Sequence, residues 1–231
     1  MTRRIAPSAI VMQLMHLFAA ALVVASGASR PVDAQIGRSR AYYAPEPGYW
    51  VGLSYGFVDG VTINDDATGT TWAFGYTSQI RATLEKTLQA GVTAGISAGF
   101  SNAPLDYTIN EPPPTPFDGC RVDCPANANI SQYLVFVRGG SRPGFHGLFD
   151  LEAGATEFSH FRDRTTGASF PPTAKYDFTF GIGGGAGYGF SPTTEVYVTD
   201  GWQFVLHPQG PNASSSAPRM MTVQLGGRIG F

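Results

Sequence analysis

The chain has 231 residues, 14% of them charged and 13% aromatic, with 29 glycines and a formal net charge of −2. So few charges, against about 25% in an ordinary soluble domain, point away from a water-facing globule. A sequence with no basic excess offers no field for nucleic acid, and no nucleic-acid motif compensates, so that partner class is set aside.

The N-terminus comes first in chain order. Arg3 and Arg4 precede an apolar run from Ile10 to Ala25, broken by Gln13 and His16, and two small-residue exits follow, Ser26-Gly27-Ala28 and Val32-Asp33-Ala34. This is the pattern of an export signal, residues 1–34, with cleavage after Ala34 preferred to Ala28. The run is short for a spanning helix of ~20 residues, and no cysteine near the exit marks a lipoprotein. Residues 35–47 then read as an N-terminal periplasmic segment and 48–231 as the body of the protein.

Eight segments of period-two alternation follow, the signature of strands with one apolar face. The apolar faces are Tyr49, Val51, Leu53, Tyr55 and Phe57; Trp72, Phe74, Tyr76 and Ile80; and Leu88, Val92, Ile96 and Phe100 with the intervening alanines. The fourth segment, Ile130 to Arg138, is apolar on both faces. The fifth presents Phe149, Leu151, Ala153 and Ala155, the sixth Tyr176, Phe178, Phe180, Ile182, Tyr188 and Phe190 against a run of glycines. The seventh carries Val196, Val198, Trp202, Phe204 and Leu206. The last, Met221 to Phe231, sets Met221, Val223, Leu225, Ile229 and Phe231 against Thr222, Gln224, Arg228 and glycines.

Connections at Thr83–Lys86, Gly139–Pro143 and Ser191–Thr194 are short. Those at Val58–Gly69, Asn102–Asn129, Ser159–Thr173 and His207–Arg219 are long. Strict alternation of short and long connections fits an all-β, closed, eight-stranded antiparallel up-and-down transmembrane β-barrel with both termini in the periplasm. Trp72, Tyr176 and Trp202 fall where an external aromatic girdle belongs; Tyr49, Tyr188, Phe190 and Phe231 fall at the periplasmic one. A soluble cup of the lipocalin kind would need a strand face rich in Lys and Glu, and here that face is mostly Gly, Ser, Thr and Ala.

The opening Pro47-Gly48-Tyr49-Trp50-Val51-Gly52, the alternation and the ending Gly226-Gly227-Arg228-Ile229-Gly230-Phe231 together resemble the small outer-membrane barrel family of the OmpA and OmpX kind, over about Gly48 to Phe231. The resemblance implies a bacterial outer-membrane location after export through the periplasm. Outer-membrane lipids and lipopolysaccharide are the implied surroundings. It also implies a C-terminal signal for the barrel-assembly machinery at Leu225, Ile229 and Phe231. Unlike the larger OmpA type, no peptidoglycan-binding domain is expected beyond the barrel.

On this register Arg81, Arg138, Lys175 and Arg228 point inward against Asp150, Glu152, Asp177 and Glu195, four cations facing four anions. Inside eight strands side chains roughly fill the bore, and buried charge has to be paired, so a polar core is expected rather than a wide conduit. Cys120 and Cys124, four apart in a compartment that oxidises thiols, read as a local disulfide, with a metal pair the lesser alternative. No cofactor motif is present. Ser159, His160 and Asp163 tempt a hydrolase reading, but neighbours in an irregular loop seldom make a triad; His146 and His207 read as solvated or interfacial. The loops carry the remaining functional interest. Prolines 104, 112, 113, 114, 116 and 125 stiffen the second, while Arg162, Arg164 and Lys175 lie near where lipid phosphates would be. The expected role is therefore a non-enzymatic barrel with a structural or surface-interaction function through its loops. The alternatives are a lipid-modifying enzyme or a narrow channel.

Overall fold

Alternating bulky and small residues give an extended chain with one greasy face, and its backbone N–H and C=O groups must then pair between strands. The structure, a computed structural model, describes residues 47–110, 122–140, 143–207 and 217–231. Residues 1–46, and with them the expected signal and periplasmic segment, lie outside the described residues.

Among the described residues ten strands form one antiparallel sheet: β1 (Tyr49–Val58), β2 (Thr62–Asp65), β3 (Thr70–Phe74), β4 (Thr77–Gln89), β5 (Val92–Ile109), β6 (Asp123–Gly139), β7 (Gly144–Asp163), β8 (Ala174–Ser191), β9 (Thr194–Leu206) and β10 (Arg219–Gly230). β3 and β4 both run antiparallel to β5, one above the other, and β2 and β1 pair with them in turn. Each pair thus fills one position in the wall, which has eight. The sheet closes where β1 meets β10, with Tyr55 opposite Leu225, and where β5 meets β6, with Ile96 opposite Val135. At the seam Tyr49 N–H donates to the Phe231 carbonyl at 3.1 Å, Phe231 N–H returns a bond at 2.9 Å, and the two rings stack.

A bilayer is crossed by about 9–11 residues of tilted strand. β5 to β8 run to 18, 17, 20 and 18 residues, so the wall continues well beyond the lipid band on the long-loop side. Along β5 and β6 the apolar face switches sides at that boundary. In β5 Ile96 and Phe100 face outward, but Ala103, Leu105 and Tyr107 face inward; in β6 Tyr133, Val135 and Val137 face outward, but Cys124, Ala126, Ala128 and Ile130 face inward. Below the boundary the solvent is lipid and grease belongs outside; above it the solvent is water and grease belongs inside.

This inversion explains the departures from the sequence reading. Trp72 and Phe74 do not belong to the lipid face: they sit on β3 in the upper bore, Trp72 with no exposure, so Trp72 is no girdle residue. The face changes at Gly75–Tyr76, where β3 ends and β4 begins. Leu134 and Phe136 are inward, which resolves the two-faced fourth segment. The described residues of the supposed loop Asn102–Asn129 are largely strand, and the first five residues of Ser159–Thr173 extend β7 to Asp163. Pro104 and Pro125 therefore lie in β5 and β6, while Pro112, Pro113, Pro114 and Pro116 fall outside the described residues. The expected loop Val58–Gly69 contains β2 and the turn into β3, with which β2 forms a hairpin. The first short turn lies at Ala90–Gly91 rather than Thr83–Lys86, so Leu88 belongs to β4, which ends at Gln89, and not to the strand that follows.

Close approach of strands restricts one glycine on β7. A Cβ on Gly154 would overlap the Tyr133 carbonyl oxygen and stand 2.8 Å from Leu134 Cα, both main-chain atoms that cannot yield. Gly154→Ala is expected to cost about 1–3 kcal/mol, read as a lower urea midpoint for unfolding from lipid vesicles. An unchanged midpoint would contradict this packing.

Candidate functional site

The bore is filled in layers. Nearest the short turns, Arg228 joins three strands: its guanidinium donates to Glu85 Oε2 at 2.5 Å and Glu195 Oε2 at 2.9 Å and lies 4.5 Å over the Trp50 ring. Arg138 grips Asp150 with two parallel bonds, Nε to Oδ1 at 2.8 Å and a terminal nitrogen to Oδ2 at 2.9 Å. Its other terminal nitrogen stands 3.5 Å from Glu85, and its guanidinium lies over the Tyr197 ring. Bidentate geometry of this kind is what makes buried charge tolerable. His146, expected at the surface, is 1% exposed, with Nε2 3.4 Å from Glu195.

The next layer is a relay of amides across the bore. Ser54 donates to Gln224, Gln224 to Gln79, Gln79 to Gln132, Gln132 to Gln203, and Gln203 to Glu152, whose second oxygen takes Arg81 at 2.9 Å. Thr156 and Thr179 share a bond at 2.7 Å beside it. Beside this layer the inward glycines 183 and 201 leave a small polar chamber lined by Arg81, Arg138, Asp150, Glu152 and Thr199.

Above the lipid band the filling is apolar. Trp72, Phe74, Phe158, Phe161 and Tyr107 meet ring to ring, Trp72 and Phe161 at 4.7 Å, backed by Ile63, Leu105, Ile130, Val205 and Met220. One ionic cluster is set into this cap. His207 Nδ1 is 2.6 Å from Asp177 Oδ2, its Nε2 is 3.5 Å from Asp65, and Lys175 Nζ is 3.8 Å from Asp65. His207 lies edge-on to Trp72, and Thr68 donates to Asp65 at 2.8 Å. Burial pulls the His207 pKa down. Its bonds to Asp177 and Asp65 and their charges outweigh that pull and push it up to about 9. Burial works upward on the Asp65 carboxyl, yet hydrogen bonds from His207 and Thr68 and the charge of Lys175 hold it below its ordinary value.

The sequence-derived lumen charges Arg81, Arg138, Lys175, Arg228, Asp150, Glu152, Asp177 and Glu195 all lie in these layers, but the count of four against four does not hold. Glu85, Asp65, His146 and His207 belong there too. Glu85 was hidden by the turn assigned to Thr83–Lys86, although the run Gln79, Arg81, Thr83, Glu85 keeps its period; Asp65 and His207 carried no such signal. Lys175 faces the cluster rather than lipid phosphates. Leu225, Ile229 and Phe231 stand exposed on the outer face. Cys124 is buried on β6 and is not a free thiol; Cys120, its expected partner, lies outside the described residues.

Ser159 and His160 occupy β7 rather than a loop. His160 Nδ1 is 3.1 Å from Ser159 Oγ, but Ser159 is buried while His160 is exposed. Asp163 spends one carboxylate oxygen on the N–H groups of Thr165 and Thr166, at 2.6 and 2.8 Å. No relay from Asp163 through His160 is assembled.

A closed antiparallel wall, greasy outside over one band and ion-paired within, defines a small transmembrane-type β-barrel. Solved structures agree on the fold: Neisserial surface protein A is similar with a TM-score of 0.50 and 7% identity, over 81% of this chain and 100% of that one. The barrel domain of Pseudomonas aeruginosa OprF (TM-score 0.43, 8% identity, 80% and 100% covered) and OprG of the same organism (0.46, 12%, 80% and 97%) are also similar. The chain thus has the fold of the small outer-membrane barrels. No family model matches the sequence, and no curated protein sequence matches it.

Proposed function

We propose that the protein is a non-enzymatic, non-conducting outer-membrane barrel that anchors a protruding turret, through whose outer surface and loops it meets its partners. The inversion of the apolar face along β5 and β6 carries this reading, because one sequence feature both seats the lower wall in lipid and seals the upper bore with side chains. The stacked Tyr49–Phe231 seam and the outward Leu225 and Ile229 support a C-terminal assembly signal. A Cys120–Cys124 disulfide would shape the base of the second loop, contributing about 2 kcal/mol at most through so short a ring.

Planar-bilayer recording of the refolded protein tests this. Bilayers are expected to stay electrically silent, because an ion would have to pass the Trp72–Phe161 cap without water or polar partners. Stable conductance steps that scale with inserted protein would overturn the reading.

A further inference from the structure

Just outside the lipid band, β5, β6 and β7 present a groove that none of the layers above uses. It is lined by Asn102, Asn127, Asn129, His160, Arg162, Asp163 and Arg164, and its volume is about 420 Å³, within the range of small-molecule sites. Its foot is apolar. Phe100 and Tyr133 face outward below it, edge to face with centroids 6.2 Å apart, and Asn102 is the next outward position on β5, about 7 Å further along the strand. Asn102 donates to Asn129 at 2.8 Å, so the two amides are held side by side.

The backbone is bent to make this wall. Opposite Asn127–Asn129 the β6–β7 register shifts, and β7 carries a bulge in which His160 takes a φ of 56°. A left-handed conformation at a non-glycine residue inside a strand is strained, and such strain gathers at binding sites. The bulge buries Ser159 and Phe161 while turning His160 and Arg162 outward. Among the described residues neither Arg162 nor Arg164 makes an ion pair, whereas Asp163 is already engaged by Thr165 and Thr166. With two arginines against one carboxylate the groove carries a net positive charge; it is rich in amide donors and acceptors and open directly above an aromatic belt.

We propose that this groove binds the phosphorylated saccharide headgroup of a glycolipid in the outer leaflet. The proposal rests on the membrane placement argued above. Arg162 and Arg164 supply forked donors to phosphate oxygens, the asparagine row matches sugar hydroxyls, and Phe100 and Tyr133 meet the first methylenes of the acyl chains. Anchoring in the same leaflet supplies the high local concentration that a shallow groove requires.

The test reconstitutes the full-length mature protein in phosphatidylcholine nanodiscs containing either phosphorylated lipid A or its dephosphorylated form, and titrates retained glycolipid by native mass spectrometry. Wild type is expected to hold phosphorylated lipid A at least about tenfold more tightly than R162Q/R164Q, with R219Q, an exposed arginine on β10 away from the groove, equal to wild type. The dephosphorylated form should bind as weakly as the double variant does. Folding of each variant is read from its unboiled gel mobility, and N102L/N129L gives a second, charge-neutral variant expected to weaken retention. Equal binding by wild type and R162Q/R164Q, or indifference to the phosphates, overturns the proposal while leaving a silent, inserted barrel intact. Displacement of lipid A by millimolar glucosamine phosphate would overturn the lipid source and assign the groove to a soluble phosphosugar. Failure of the wild-type chain to insert into the discs at all would sink both this inference and the reading it rests on.

Discussion

Arg228→Leu is expected to lower the unfolding free energy of the barrel by about 3–5 kcal/mol, the largest single-residue loss in the molecule. The side chain is fully buried and holds two carboxylates from different strands, Glu85 on β4 and Glu195 on β9, while lying over Trp50 on β1. Removing it takes the shared cation from two buried carboxylates, near which Arg138 and His146 remain, and an undercompensated interior charge costs far more than the pair contributes. The double variant E85Q/R228L should recover part of the loss, since one of the stranded charges is gone. Urea titration of refolded protein in lipid vesicles measures both. A single-variant loss under 1 kcal/mol, or no recovery in the double variant, would show that water reaches this layer and screens it.

The second large effect is a pH dependence that His207 creates. Its folded pKa of about 9 lies above the ordinary 6.5, so the unfolded chain releases the proton first as pH rises. The stabilisation is complete below pH 6.5, declines through the window from 6.5 to 9, and is gone above it; the upper bound is about 3 kcal/mol from the size of the shift. Asp65 acts in the opposite sense, its share being lost only as pH falls through its depressed folded value. His207→Gln keeps the volume and a hydrogen bond to Asp177 but carries no charge, so it should start less stable at pH 6 and show a flat profile up to pH 9. The same slope in variant and wild type would mean that another group titrates there.

Much of the barrel was legible in the residues. The lipid face of β1, β8, β9 and β10 follows directly from alternation, because a strand's side chains must point to opposite faces and only one face meets lipid. Position in that period also marks Arg81, Arg138, Asp150, Glu152 and Arg228 as inward. Asp65 and His207 were illegible for a physical reason: they come from a hairpin and a strand end more than a hundred residues apart, and only closure of the wall brings them together with Asp177. The groove was half legible. Arg162 and Arg164 can be read from the chain, but their amide neighbours on β5 and β6 cannot, since they belong to stretches whose period-two pattern continues with its apolar face reversed.

Alternation by itself determined that the chain makes strands, how they are ordered, and which surface faces the hydrocarbon. Where the lipid ends and the sealed turret begins was decided by the tertiary structure alone. A strand records which of its faces is greasy, but not whether grease lies outside or inside. That sign is set by the medium around each level of the closed wall, lipid for Phe100 and Tyr133, water around the level of Leu105 and Ala126.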